Sequence, residues 1–60
     1  MTMRTYYIVG IAKRKNAKKH IVEKVICNST GALYRRVEWW KNTNDKYTYE
    51  VYTEDWKQIM

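Results

Sequence analysis

Sixty residues carrying one cysteine, three tryptophans, six tyrosines, no phenylalanine and a net charge of +6 make a single small basic domain, residues 1–60. A chain this short buries only about 60% of the surface its unfolded form exposes. One cysteine excludes an intrachain disulfide as the remedy, and no ligand spacing suggests a zinc cage, so the expectations are a dense Tyr/Trp core or completion by a homodimer.

Thr5-Tyr6-Tyr7-Ile8-Val9-Gly10-Ile11-Ala12 reads as a strand that is apolar on both faces, which places it in the middle of a sheet or under a helix. Gly10 in its interior predicts a bulge or a close backbone approach. Lys13-Arg14-Lys15-Asn16-Ala17-Lys18-Lys19 puts five cations into seven residues without an apolar anchor, the pattern of an exposed loop. Over His20-Ile21-Val22-Glu23-Lys24-Val25-Ile26-Cys27 two readings compete. Apolar residues at 17, 21, 22, 25 and 26 fit a helical stripe capped by Asn16, whereas four β-branched residues in eight favour a strand pairing back on the first.

Asn28-Ser29-Thr30-Gly31 is a turn. The stretch that follows, Leu33-Tyr34-Arg35-Arg36-Val37-Glu38-Trp39-Trp40-Lys41, has two geometries. As a helix capped by Ser29 or Thr30 it aligns Leu33, Val37 and Trp40 on one stripe and leaves Trp39 near the surface. As a strand it buries Trp39 instead. Periodicity favours the helix. A second turn at Asn42-Thr43-Asn44-Asp45 leads into the strand Lys46–Thr53, whose Tyr47, Tyr49 and Val51 alternate with Thr48 and Glu50. Thr53-Glu54-Asp55-Trp56 is expected to start a last helical turn that folds Trp56, Ile59 and Met60 over one edge of the core.

The fold expected from these elements is α+β: a small three-stranded antiparallel sheet with one short helix and a C-terminal helical turn. The alternative is an all-β meander or small barrel in which residues 33–40 form a strand. An Ile-x-x-Ile-x-x-Arg strand, a His-Ile-x-x-x-Val strand, a short striped helix and a Tyr-rich strand follow one another, on Ile8, Ile11, Arg14, His20, Ile21, Val25, Tyr34, Val37, Trp40, Tyr47 and Tyr49. In this order residues 6–52 resemble DUF3892, a family of small bacterial and phage domains of unknown function. The resemblance implies a strand at 20–27 and a helix at 33–41, and it implies no activity and no functional residues.

Function has to be argued from charge. Residues 1–30 hold seven basic groups against the single acid Glu23, and residues 31–60 hold five against five, so the excess charge belongs to the first half. A one-sided field of this kind steers association with polyanions. No apolar run reaches the roughly 20 residues of a membrane span, and no apolar stretch of a secretory signal follows Met1. A cytoplasmic protein without a membrane partner is therefore expected, and the sequon Asn28-Ser29-Thr30 reads as a turn. His20, Cys27 and Ser29 have no spacing that pairs a nucleophile with a base, so no catalytic residue, metal or cofactor is expected.

The leading expectation is a non-enzymatic nucleic-acid-binding module. Lys13, Arg14, Lys15, Lys18 and Lys19 would contact phosphates, Arg35 and Arg36 would extend the patch, and Tyr34, Trp39 or Tyr52 would stack on bases. The alternative is an accessory inhibitor of phage or bacterial type that applies the same basic patch to an acidic surface of a host protein, or adds a strand edge to it.

Overall fold

In a computed structural model describing residues 2–60, strands β1 (Arg4–Ala12), β2 (Lys19–Cys27) and β3 (Tyr47–Thr53) form one antiparallel sheet of order β2-β1-β3, and helix α1 (Thr30–Thr43) connects β2 to β3. The fold is the expected α+β arrangement. The doubly apolar strand occupies the centre, where both of its edges are paired.

Helix wins over strand at residues 33–41 because its period suits the apolar residues. Leu33 and Val37 are buried, and Trp40 packs beside them against Tyr6, Ile8, Cys27 and Val51. Ser29 caps the start, its Oγ accepting from the Ala32 N–H at 3.4 Å, and Lys41 sits in the last turn, where a cation suits the helix dipole. Asn42, Thr43 and Asn44 are weak helix formers. The helix ends there, with the Asn44 N–H donating to the Trp40 carbonyl at 2.9 Å. It therefore runs two residues further than Lys41, into the expected turn.

β2 resolves to the strand reading, with an irregularity. Its register against β1 slips between Ile8 and Val9, so that Val22 is an extra residue with no partner of its own. Across the sheet, residues facing each other share a side. Cys27, Val25 and Glu23 lie opposite Arg4, Tyr6 and Ile8, on the helix side, and after the bulge Ile21 and Lys19 lie opposite Val9 and Ile11, on the other. One inserted residue thus sends Ile21 and Lys19 to the face that α1 does not cover.

Gly10 is a close approach, as its position suggested. A Cβ there would stand 3.0 Å from Val22 Cγ1 and 3.5 Å from ring atoms of both Tyr47 and Tyr49. Gly10→Val forces two further carbons into that space and is expected to lower the unfolding free energy by roughly 1–3 kcal/mol, the usual cost of overpacking, read from urea unfolding.

The expected C-terminal helical turn is not formed. After β3 the chain makes a reverse turn, closed by the Trp56 N–H donating to the Thr53 carbonyl at 2.9 Å, and doubles back along the outer edge of β3. Val51 N–H donates to Met60 O at 3.0 Å, Ile59 N–H to Val51 O at 2.9 Å and Thr53 N–H to Lys57 O at 2.9 Å. This extended return splits the trio expected to close the core. Met60 packs on the core and Ile59 is exposed, while Trp56 lands on the open face against Tyr7. β3 therefore has a covered edge, and among the described residues β2 pairs with β1 alone.

Candidate nucleic-acid interface

The residues singled out for charge fall into two groups by what holds them. Lys13, Arg14, Lys15 and Lys18 lie exposed in the hairpin loop between β1 and β2, with Asn16 taking the left-handed conformation at φ 63°. The Arg14 N–H donates to Ala12 O at 2.8 Å, and the Lys13 N–H donates to Lys46 O at 3.0 Å, which ties the loop base to the start of β3. Among the described residues no carboxylate pairs with any of these four side chains. Lys41 and Lys46 come to this end of the molecule as well, since α1 ends there and β3 begins there opposite Ala12.

Lys19 and Arg36 behave differently. Lys19 Nζ donates to Glu50 Oε1 at 2.9 Å and to the Tyr52 hydroxyl at 3.0 Å, and that hydroxyl donates to Glu50 at 2.8 Å. The bond to Tyr52 and then the bond to Glu50 raise the Lys19 pKa, while Lys19 first and Tyr52 second hold the Glu50 carboxyl below its ordinary range. Lys19 is therefore a cation already matched.

Arg36 donates to Glu23 across the β2–α1 contact and stacks 4.4 Å above the Trp39 ring. Trp40 Nε1–H donates to the same carboxylate oxygen at 2.7 Å. Desolvation alone would push the Glu23 carboxyl upward; the bonds from Arg36 and Trp40, with the Arg36 charge, outweigh it and leave the pKa lowered. This clasp ties the helix to the sheet and commits the Arg36 guanidinium to Glu23. Arg35 is exposed on the outer side of the helix and belongs to no ion pair among the described residues.

The three rings named for stacking do not share a surface. Tyr34 and Trp39, the latter 46% exposed, stand on the outer side of α1, edge-on contact with Trp40 steadying Trp39. Tyr52 lies opposite Tyr7 on the sheet face turned away from the helix. That face also carries Trp56, which was expected to close one edge of the core. Trp56 lies 4.9 Å from Tyr7 with the rings 10° apart, and 6.0 Å from Tyr52.

His20 and Cys27 close off any shared chemistry. They sit at opposite ends of β2; His20 packs edge-on against Tyr47 at 5.7 Å, and the buried Cys27 thiol donates to Ser29 O at 3.2 Å. Among the described residues no three His, Cys, Asp or Glu side chains converge, and no helix is long and apolar enough to cross a membrane. No family model, curated protein or solved structure matches the chain.

Proposed function

We propose that this protein is a non-enzymatic binding module that associates with nucleic acid, its β1–β2 loop contacting the phosphates. The observation that carries this reading is the contrast within its cations. Lys13, Arg14, Lys15 and Lys18 share one exposed loop and, among the described residues, pair with no carboxylate, whereas Lys19 and Arg36 are held by Glu50 and Glu23 respectively. An uncommitted cation gains by releasing counterions condensed on a phosphate backbone; a paired one must first leave its carboxylate.

Replacing Lys13, Arg14 and Lys15 together by Ala tests the reading. These side chains are exposed, so thermal unfolding should be unchanged. Affinity for short DNA and RNA at low salt should drop, and the slope of log affinity against log salt should fall by roughly two to three, one step per lost phosphate contact. Wild-type protein that binds neither nucleic acid at low salt overturns the proposal.

The open outer edge of β2 favours a second reading, in which an extended segment of an acidic protein adds a strand there. Its charge requirement is the same, and its mark is binding that survives at high salt, because main-chain hydrogen bonds are not screened as surface charges are.

A further inference from the structure

The sheet face opposite α1 is apolar without belonging to the core. Val9 is 4% exposed, yet it lies outside the cluster beneath the helix. It lines instead a groove of about 300 Å³ shared with Lys19, His20, Ile21, Tyr52 and Trp56. That is the lower end of the volume range of small-ligand sites.

Two local irregularities build this groove. The first is the bulge at Val22, without which Ile21 and Lys19 would point to the helix side. The second is Trp56, whose φ of 62° is one that bulky residues rarely adopt. The turn enforces it: Trp56 N–H donates to Thr53 O at 2.9 Å, and the Lys57 N–H donates to Thr53 Oγ1 at 3.2 Å. The indole is thereby fixed against Tyr7 while the residue stays 54% exposed. A ring serving only the core would be covered; this one is held in place with much of its surface in water.

The surroundings specify the occupant. Lys24, in no ion pair among the described residues, shares the face opposite Tyr7, and the groove adjoins the Lys13–Lys18 loop through Lys19, whose own charge is matched by Glu50. Covering the face with a second copy, itself +6, would set like charge against like. A polyanion that also offers flat apolar rings satisfies both features.

We propose that this groove stacks an unpaired base of single-stranded nucleic acid against Trp56, with the adjoining phosphates running onto the Lys13–Lys18 loop. The inference rests on the nucleic-acid reading above and narrows it to single strands, whose bases are free to leave the stack. Aromatic stacking of this kind tolerates any base, since each has a π face, so the site selects strandedness and not sequence.

The test is a fluorescence anisotropy titration of labelled oligothymidylate and of a duplex carrying equal phosphate charge. Wild-type protein should bind the single strand more tightly. Trp56→Gly, which suits the positive φ, should weaken single-strand binding on the order of tenfold while leaving duplex affinity and the salt slope unchanged. Ile21→Gln, at a position 49% exposed, should do the same by placing a polar, uncharged side chain in the groove, and circular dichroism melts should show both variants folded. If both variants bind the single strand as wild type does, while the loop triple variant loses binding, the groove assignment fails and the loop reading stands. If wild-type protein binds neither nucleic acid, both fail. If sedimentation shows that Trp56→Gly turns a dimer into a monomer with single-strand affinity intact, the groove is an interface between copies and the proposal is overturned.

Discussion

Leu33→Ala should leave the domain only marginally stable at room temperature, with a substantial unfolded fraction, whereas Tyr34→Ala, one residue on, should change stability little. Leu33, Ile8 and Val51 are the three fully buried large side chains, and Leu33 is the helix's contribution to that centre. Truncating a buried Leu costs about 2–5 kcal/mol, toward the upper end where the site cannot collapse around the gap. Here the gap would be bounded by strands paired on both edges of β1, which have little freedom to close it. A single core in a chain of this length rarely supplies more than about 3–5 kcal/mol, so one truncation removes most of the margin. Tyr34 is 55% exposed, and surface substitutions usually fall within about 0.5 kcal/mol. Urea unfolding followed by far-ultraviolet circular dichroism measures both. A Leu33→Ala protein with a midpoint near wild type would mean that the helix contributes far less to stability than its burial indicates.

The contrast between Leu33 and Tyr34 was legible in the sequence because i, i+4, i+7 spacing over Leu33, Val37 and Trp40 leaves only one side of a helix apolar. The central position of β1 was legible for a related reason, since a strand apolar on both faces needs neighbours. What the sequence obscured were departures from period. Ile21-Val22 and Val25-Ile26 are adjacent apolar pairs, which fit neither strict alternation nor a clean stripe. They mark a strand that changes phase, and the bulge at Val22 is where it does so. Because that phase change decides which side Ile21 and Lys19 face, the groove could not be assembled from alternation alone. Trp56 was misplaced for another reason. Thr53-Glu54-Asp55 is good helix-start chemistry, but the return strand satisfies Val51 and Thr53 main-chain groups that a helical turn would leave open on the edge of β3. The basic loop was found by composition. That Lys19 and Arg36 would be paired with acids depended on Glu50 and Glu23, 31 and 13 residues away in sequence.

Glu23 gives the second large effect, one that depends on pH. It is the only acid in the basic half of the chain, and one of its two carboxylate oxygens, Oε1, accepts from both Arg36 and Trp40. Glu23→Ala leaves a guanidinium and an indole N–H without their acceptor at the seam between β2 and α1. Unsatisfied partners of a charged bond cost about 1–3 kcal/mol when buried, and the Arg36 side chain, 42% exposed, can be rehydrated, so a loss of about 1 kcal/mol is expected. Glu23→Gln keeps the volume and one accepting oxygen and should lose about half of that, because only the charge assistance goes. The sign of the pH effect follows from the lowered pKa. The folded state holds the carboxyl below its ordinary 4.5, so the unfolded chain binds more protons as the solution is acidified through that value. The stabilisation is complete above pH 4.5 and is lost as pH falls through the folded value. Glu50, also lowered, adds to the same acid-side loss through Lys19 and Tyr52. Stability measured from neutral pH downward should therefore decline more steeply in wild type than in Glu23→Gln, with the residual slope of the variant belonging to Glu50. Equal slopes would show that Glu23 titrates alike in both states and that the clasp holds the helix by packing, not by charge. Since Arg36 would be released in Glu23→Ala beside Arg35 on the helix, a rise in nucleic-acid affinity in that variant beyond the rise in Glu23→Gln, which loses the same charge but keeps an acceptor, would reveal how far this clasp limits the basic surface to the hairpin loop.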